Sequence, residues 1–376
     1  MKTYDIIIIG AGVMGAAAAC EVARNSNAHV ALIDQARLPN PRAASTDHSK
    51  VFRFAYPDSL YVRLAVDALA GWRAIEEETG AQLLTPTGLL LMGQAESTIE
   101  SETAAALRAL DLDAEMMTSV EAAARFPQFN PAAFAHAAFD PSGAITHAER
   151  AVQTMIQLAR RRGATVIEAA RVTGIEQTAG ANVRITTETG EAIECRRAMV
   201  ATGPWTRRAL PSLADTLMTT RQEVVYFEPR TNPEAFAVGR LPIFIDFGSG
   251  FYGFPVHHAN AIKMGNHHRG RIVEMDDDTP VGDDFIARCR DFFAEFIPTL
   301  ATASVRETRV CVYNNTPDED FIIDWHTGIE NVLLVTGFSG HGFKFGPVVG
   351  RISAELLLTG QTTYDITRFS LARFAR

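Results

Sequence analysis

The chain has 376 residues, 47% apolar and 21% charged, with a net charge of −9. That length points to two domains rather than one core, and the composition excludes an intrinsically disordered chain. The negative balance argues against a nucleic-acid backbone or an anionic membrane as partner, and no stretch is long and apolar enough to span a bilayer.

In chain order, residues 4–9 form a short buried-strand run that stops at Gly10. Met1-Lys2 and the alanines before Cys20 loosely mimic a lipoprotein signal, but Asp5 and the glycines interrupt its apolar region. The strand leads instead into Gly10-Ala11-Gly12-Val13-Met14-Gly15, an alanine-rich helix to about Arg24, and a second strand over 29–33 ending at Asp34. Gly10 allows the tight turn, Gly12 lets the backbone approach a pyrophosphate, and Gly15 lets the helix pack on the strand. Asp34 is placed to accept ribose hydroxyls. Strand, helix, strand and acid in this order predict an adenine-dinucleotide site without saying which dinucleotide.

Pro39, Pro41 and Ser45 mark a loop. Periodicity then predicts a helix over 61–79, with Leu64, Leu69, Trp72 and Ile75 on one face, a strand over 88–93 and a helix over 96–110. A helix over 151–162 is closed by Gly163, and its Arg160-Arg161-Arg162 reads as cations set against the helix dipole. Strands follow over 165–168 and 183–187, and 197–205 reads as a buried strand running into a glycine turn at Gly203 and Trp205. After Arg221 the composition becomes β-branched, aromatic and turn-rich, with strands expected at 223–228, 251–255, 261–265 and 309–313. A parallel-type strand over 332–337 and a helix over 347–357 return to the first domain. The expected class is α/β, α+β overall. A discontinuous Rossmann-like domain with a parallel sheet takes 1–85, 146–220 and 316–376, and a substrate domain on a mainly antiparallel sheet takes 86–145 and 221–315.

Lysine occurs four times, at Lys2, Lys50, Lys263 and Lys344, against thirty-one arginines. Arginine cannot replace a compact ammonium that packs against a reacting atom, so the three internal lysines are candidate site residues. The four cysteines, Cys20, Cys195, Cys289 and Cys311, lack any CxxC spacing, which fits a reducing compartment, by default the cytoplasm.

The Gly10–Gly15 turn, the segment 201–205, Val310-Cys311-Val312-Tyr313 and Gly337-Phe338-Ser339-Gly340-His341-Gly342-Phe343-Lys344 together resemble the monomeric sarcosine oxidase and N-methyltryptophan oxidase family of amine-oxidising flavoproteins. That family stands with D-amino-acid oxidase in a wider superfamily, and the similarity covers nearly the whole chain. The resemblance implies FAD, contacted by Gly10, Gly12, Met14, Gly15, Asp34, Gln35, Ser45, Lys50, Val172, Gly203, Trp205, Gly340, His341, Gly342, Phe343 and Lys344. It also implies a covalent link from Cys311 to the flavin 8α-methyl carbon, with Arg309 able to assist the thiolate if it turns to the same site. Arg53 and Lys344 match the residues that hold a substrate carboxylate. Lys263 matches the lysine that activates O₂, His267 an active-site histidine whose register His268 and Arg269 leave open, and Tyr252 and Tyr313 aromatic pocket positions.

The loop departs from the sarcosine oxidase pattern, which has paired histidines, Gly-Asp-Thr and an arginine ahead of the second arginine. Here it reads Ser45-Thr46-Asp47-His48-Ser49-Lys50-Val51-Phe52-Arg53, and Phe54 stands where that pattern has histidine. Lys50 in place of arginine is closer to Amadori-product and saccharopine oxidases. The implied reaction oxidises a secondary amine in an N-substituted amino acid by hydride transfer to flavin N5, with imine hydrolysis and reduction of O₂ to hydrogen peroxide. Rivals are a fructosyl-amino-acid or saccharopine-type oxidase, a dehydrogenase using another acceptor, and a dinucleotide-binding protein without turnover. The expected partners are a small amino-acid-derived amine and O₂, in a monomer. No metal is expected, and Asp318-Glu319-Asp320 reads as a solvated turn.

Overall fold

The computed structural model describes residues 2–275 and 279–375. Its first sheet runs in the order Val172–Gln177, Val183–Thr187, Ala192–Val200, Lys2–Ile9, Val30–Ile33, Thr165–Ile167. Val332–Thr336 joins Ala192–Val200 in parallel and carries Ile322–Trp325 antiparallel on its far side. The central strands are parallel, and Ile6, Ile7, Ile8 and Ile9 are all buried, as strands covered on both faces require.

Helices Val13–Asn25 and Gly346–Thr359 pack together against this sheet. Their close approach needs Gly350, where a Cβ would lie 2.6 Å from that of Ala17. Helix Ser59–Thr79 starts at Asp58, which accepts from Leu60 N, and ends at left-handed Gly80. Its buried Trp72 donates Nε1 to Lys344 O at 2.8 Å, tying the helix to the glycine-rich segment.

The second sheet runs Ser304–Asn315, Met218–Glu228, Ile262–Asn266, Phe251–Gly253, Ile243–Asp246, Leu89–Gly93, His136–Asp140, Glu115–Thr118. It is antiparallel except where Ile243–Asp246 meets Leu89–Gly93. A three-stranded sheet, Lys50–Phe52, Ala144–Thr146, Leu84–Pro86, begins at one of the candidate lysines.

The expected α/β organisation with parallel and antiparallel sheets is found, with several differences of detail. The strand expected at 309–313 extends over Ser304–Asn315 and that at 223–228 over Met218–Glu228, because the two pair along nearly their full length, with Gln222 opposite Cys311. Helix Asp283–Phe296 was not expected, although Phe285, Cys289, Phe292, Phe293 and Phe296 recur at helical spacing and are all buried. Arg160 and Arg161 stand in the last turn of helix Ala148–Arg161, as expected of cations set against its dipole. Arg160 also pairs with Glu168, and Arg162 pairs with Glu78 and donates to Cys20 O, which ties the helix end to its neighbours. Asp318, Glu319 and Asp320 do not form a merely solvated turn: Asp318 and Asp320 pair with Arg373 and Arg368 and strap the C-terminal segment down, and Glu319 pairs with Arg269. No helix among the described residues is long and apolar enough to cross a membrane.

Candidate active site

One continuous cleft, about 1750 Å³ including its open mouth, runs from Asp34 and Gln35 past the glycine turn to Arg53, Lys263, His267 and Lys344. At the nucleotide end Gly10 has φ +101°, and a Cβ there would sit 2.4 Å from Ala201 O. At Gly15 a Cβ would fall 1.8 Å from Gly10 O, so Gly15 does not line the cleft but lets the helix sit on the turn. Gly12 caps the helix, whose Val13 N donates to Ser45 Oγ at 2.9 Å. Asp34 has a larger role than the ribose contact expected of it. Its Oδ2 accepts from Ala11 N at 2.8 Å and its Oδ1 from Ala36 N at 2.9 Å, so the carboxylate also braces the glycine turn. Met14, Gln35, Val172, Gly203 and Trp205 line the same end. A glycine turn with no room for a Cβ at Gly10, a helix N-terminus and a carboxylate ending the second strand together fit an adenine dinucleotide.

The lysines divide cleanly. Lys2 is exposed and pairs with Glu191, whereas Lys50, Lys263 and Lys344 all line the cleft. Lys263 is 1% exposed, and its Nζ donates to Asp47 Oδ2 at 2.7 Å and Ser49 O at 2.6 Å, with Ser49 Oγ at 3.4 Å. Burial pulls its pKa down to about 8, against the attraction of Asp47 and with the repulsion of Lys50. Asp47 is buried too, and its Oδ1 accepts from Tyr226 OH at 2.9 Å and His48 N at 2.7 Å. Lys50 Nζ lies 3.5 Å from Asp47 Oδ2 and 3.7 Å from Cys311 Sγ.

Arg309 does not help the thiol, as the sequence had suggested. Its Nε is 2.6 Å from Glu307 Oε1 and its Nη1 3.8 Å from Asp47 Oδ1, which leaves Lys50 as the cation beside Cys311. Cys311 itself is half-buried on the sheet's edge strand, next to the cleft-lining Val312 and Tyr313.

Arg53 and Lys344 form the other cationic wall. Phe54 N and Ala55 N both donate to buried Asp140, which fixes the backbone just after Arg53. The guanidinium lies over the Tyr56 ring, Cζ 3.9 Å from its centroid, and Arg53 Nη1 is buried without a hydrogen-bond partner. Lys344 Nζ donates to Tyr56 OH at 2.9 Å and His341 O at 2.5 Å. Neither cation has an acidic partner among the described residues, and burial together with Arg53 drives the Lys344 pKa well below its ordinary value. Tyr56 OH reaches His341 Nδ1 at 3.1 Å while Nε2 reaches Glu319 O, a pattern that suits the neutral imidazole with Nε2 protonated. Burial and Lys344 also push that histidine's pKa well down.

The turn at Ser339 and Gly340 is left-handed, and a Cβ on Gly340 would strike the Tyr313 ring at 2.1 Å. A Cβ on Gly265 would similarly meet Tyr252 OH at 2.5 Å. Both tyrosines therefore lie against glycine backbone and line the cleft. His267 is the histidine that lines the cleft; His268 turns outward to Phe247 O, and Arg269 pairs with Glu319. Burial, Arg53 and Lys344 lower the His267 pKa to about 4, so it is neutral near pH 7.

Sequence reasoning missed Asp47, Ser49, Tyr226, Tyr56 and Asp140, which hold the candidate residues in place. One more cluster lies behind them: His48, His258 and Glu307 bring three donor atoms together. The imidazoles stack with centroids 3.5 Å apart and planes 21° from parallel, so their in-plane lone pairs do not converge on one ion, and Arg309 already occupies Glu307.

Residues 5–356 match the family described as DAO, FAD dependent oxidoreductase. The chain is 31% identical to peroxisomal sarcosine oxidase of Mus musculus, over 99% of this chain and 96% of that protein. It is 32% identical to monomeric sarcosine oxidase of Bacillus sp. (strain NS-129), over 99% and 97%. N-methyl-L-tryptophan oxidase of Salmonella arizonae is 29% identical over 99% and 100%. Among solved structures, L-proline dehydrogenase from P. horikoshii superposes with a TM-score of 0.87, covering 99% of this chain and 98% of that one at 21% identity, a likeness of fold. Glycine turn, cleft and full-length relatives agree, and the chain belongs to the DAO family of FAD-dependent oxidoreductases.

Proposed function

We propose that this flavoenzyme oxidises the secondary amine of a small N-substituted amino acid, of the sarcosine or N-methyl amino acid type, with O₂ as electron acceptor. The observation that carries this reading is the Arg53–Lys344 wall: two buried cations that have no carboxylate partner among the described residues, one with an unpartnered Nη1. Such a site is incomplete until an anion enters it, and a planar carboxylate suits the guanidinium's fork. FAD, when bound, supplies the two-electron acceptor for a hydride from the substrate's α-side C–H bond. The chain's own residues orient and charge the site. Arg53 and Lys344 fix the carboxylate end, which limits the poses open to the amine. The surrounding cations favour the neutral amine, the form able to release a hydride, so no side-chain base is required. Tyr252, Tyr313 and Phe254 give an apolar wall that excludes water. Lys263 and Lys50 offer positive charge on the opposite wall, where electrons pass to the acceptor.

Cys311 is proposed as the covalent link to the flavin, its sulfur lying 3.7 Å from Lys50 Nζ beside the cleft. Acid precipitation tests this part: the yellow colour stays with the wild-type pellet and passes to the supernatant in Cys311→Ala. The substrate class is tested by following peroxide with sarcosine, N-methyl-tryptophan, pipecolate, saccharopine and fructosyl amino acids. Turnover of N-methyl amino acids with stoichiometric peroxide supports the reading. Activity confined to fructosyl amino acids or saccharopine, or turnover with an artificial acceptor but no peroxide, replaces it.

A further inference from the structure

Lys263 has no hydrogen-bonding capacity left over. Its three N–H donors are matched by Asp47 Oδ2, Ser49 O and Ser49 Oγ, and its charge lies 4.8 Å from the Phe254 ring centroid. Its counter-ion is equally committed, with Tyr226 OH and His48 N on the other carboxylate oxygen and Lys50 Nζ and Arg309 Nη1 further out. We infer that Asp47 is the positioning residue of this wall, the buried anion that holds Lys263 as a fixed cation and joins it to Lys50 in one charge-compensated unit. The inference rests on the proposed reading of Lys263 as the charge on the acceptor side of the cleft, but its test does not depend on turnover.

The physical case is the balance around one buried ammonium. Burial lowers the pKa of a lysine in an apolar wall, and Lys50 pushes the same way. Four elements bring titratable groups toward Lys263. The loop contributes Asp47, His48 and Lys50; strand Met218–Glu228 contributes Tyr226; strand Ser304–Asn315 contributes Glu307, Arg309, Cys311 and Tyr313; and the segment from Tyr252 to His257 contributes those two residues. Glu307 is engaged by Arg309 and His48, and His257 Nε2 meets Ser49 Oγ at 2.8 Å, where burial holds it neutral. Asp47 is the carboxylate in direct contact with the ammonium. A lysine that lost its proton could not stabilise negative charge developing in the cleft, so Asp47 acts on the reaction through Lys263 without touching substrate.

The scarcity of lysine makes the test direct. Protein labelled with ¹³C at lysine Cε and loaded with flavin has four lysine signals, and Lys263→Met assigns the relevant one. The wild-type signal is expected to titrate near pH 8. In Asp47→Asn the midpoint falls by at least about one unit, because the raising contributions are lost while burial and Lys50 remain. Asp47→Glu restores most of it. Lys50→Met removes the like charge and moves the midpoint upward, and it carries the test if Asp47→Asn does not fold. An unchanged or raised midpoint in Asp47→Asn overturns the inference, as does an unchanged or lowered one in Lys50→Met. Flavin reoxidation by O₂, followed against pH in the same variants, separates the two readings. If the midpoint moves but the reoxidation profile does not, the assignment of Lys263 to the acceptor side fails while the role of Asp47 stands.

Discussion

Two pairs of cations line the same cleft, and the fold satisfies them in opposite ways. Lys263 and Lys50 share a built-in anion, Asp47, at 2.7 and 3.5 Å. Arg53 and Lys344 share a phenol, Tyr56, and a guanidinium nitrogen that donates to nothing. Burying charge without a partner is expensive, so a site that does so must regain the cost when something arrives. On the proposed reading the compensated pair is a permanent feature of the wall, and the uncompensated pair is the receptor for the substrate's carboxylate. This contrast explains why a chain so poor in lysine keeps two in the first place and one in the second: the first needs compact charges in a tight cage, and the second a donor able to reach an anion.

The sharpest way to break the comparison is to remove one member of the receptor. Arg53→Met should lower kcat/KM for a carboxylate-bearing amine by about a hundred- to a thousandfold, the scale of deleting one partner of a buried charged hydrogen bond. Rates with an amine that lacks the carboxylate should change far less, closing the gap between the two substrates. Arg53→Lys should recover only part, since an ammonium cannot reproduce the planar fork. Asp47→Asn, by contrast, should leave the preference for carboxylate over its absence unchanged. If both substitutions erase that preference equally, the two walls do not have separate tasks.

A smaller effect concerns protons. Burial and Arg53 depress the Lys344 pKa, whereas a bound carboxylate favours its charged form. Above the depressed pKa, carboxylate binding must take up a proton, so the affinity for an unreactive carboxylate such as acetate should weaken with rising pH, by up to about tenfold per unit. Arg53→Met removes the like charge and should shift that limb to higher pH. Calorimetry in two buffers of different ionisation enthalpy measures the uptake directly, and a pH-independent affinity with no proton uptake would count against an unpaired ammonium.

How much of this was legible in the chain depends on range. The glycine turn was readable because the reasons for each glycine are local, and the lysines because their rarity is visible without any structure. The cage around Lys263 was not, since Asp47 lies 216 positions away and a polar residue in a loop carries no mark of its partner. The same distance hid Lys50 beside Cys311, 261 positions apart, and made Arg309, two residues from the cysteine, look like the natural neighbour. Asp318 and Asp320 read as solvated for the same reason, their arginines being 55 and 48 positions further on. Helix Asp283–Phe296 is a different case: its apolar spacing was present in the sequence and simply went unread.

The smallest expected effect tests whether each wall keeps its own neutral histidine. His267 faces Arg53 and Lys344, and His257 stands behind Lys263; burial is the main reason that each has a pKa near 4, with those cations adding to it. The unfolded chain's histidines bind protons near pH 6.5, whereas these two do so in the folded state only near pH 4. Across that window the unfolded state therefore holds more protons, and stability falls as pH falls. The depressed pKa of Asp47 acts lower on the scale, so it does not contribute within the window. Each histidine should account for roughly 1–3 kcal/mol of the loss, an upper range for groups partly open to the cleft. His257→Gln should flatten the dependence by its share, whether or not a carboxylate is present. The share of His267 should shrink when a bound carboxylate neutralises the cations facing it. Urea unfolding of the flavin-loaded protein at pH 6.5 and 4.5, with and without acetate, resolves the two. Equal responses to acetate in wild type and His267→Asn would mean that the anion does not enter beside Arg53 and Lys344, and the receptor wall would have to be sought elsewhere.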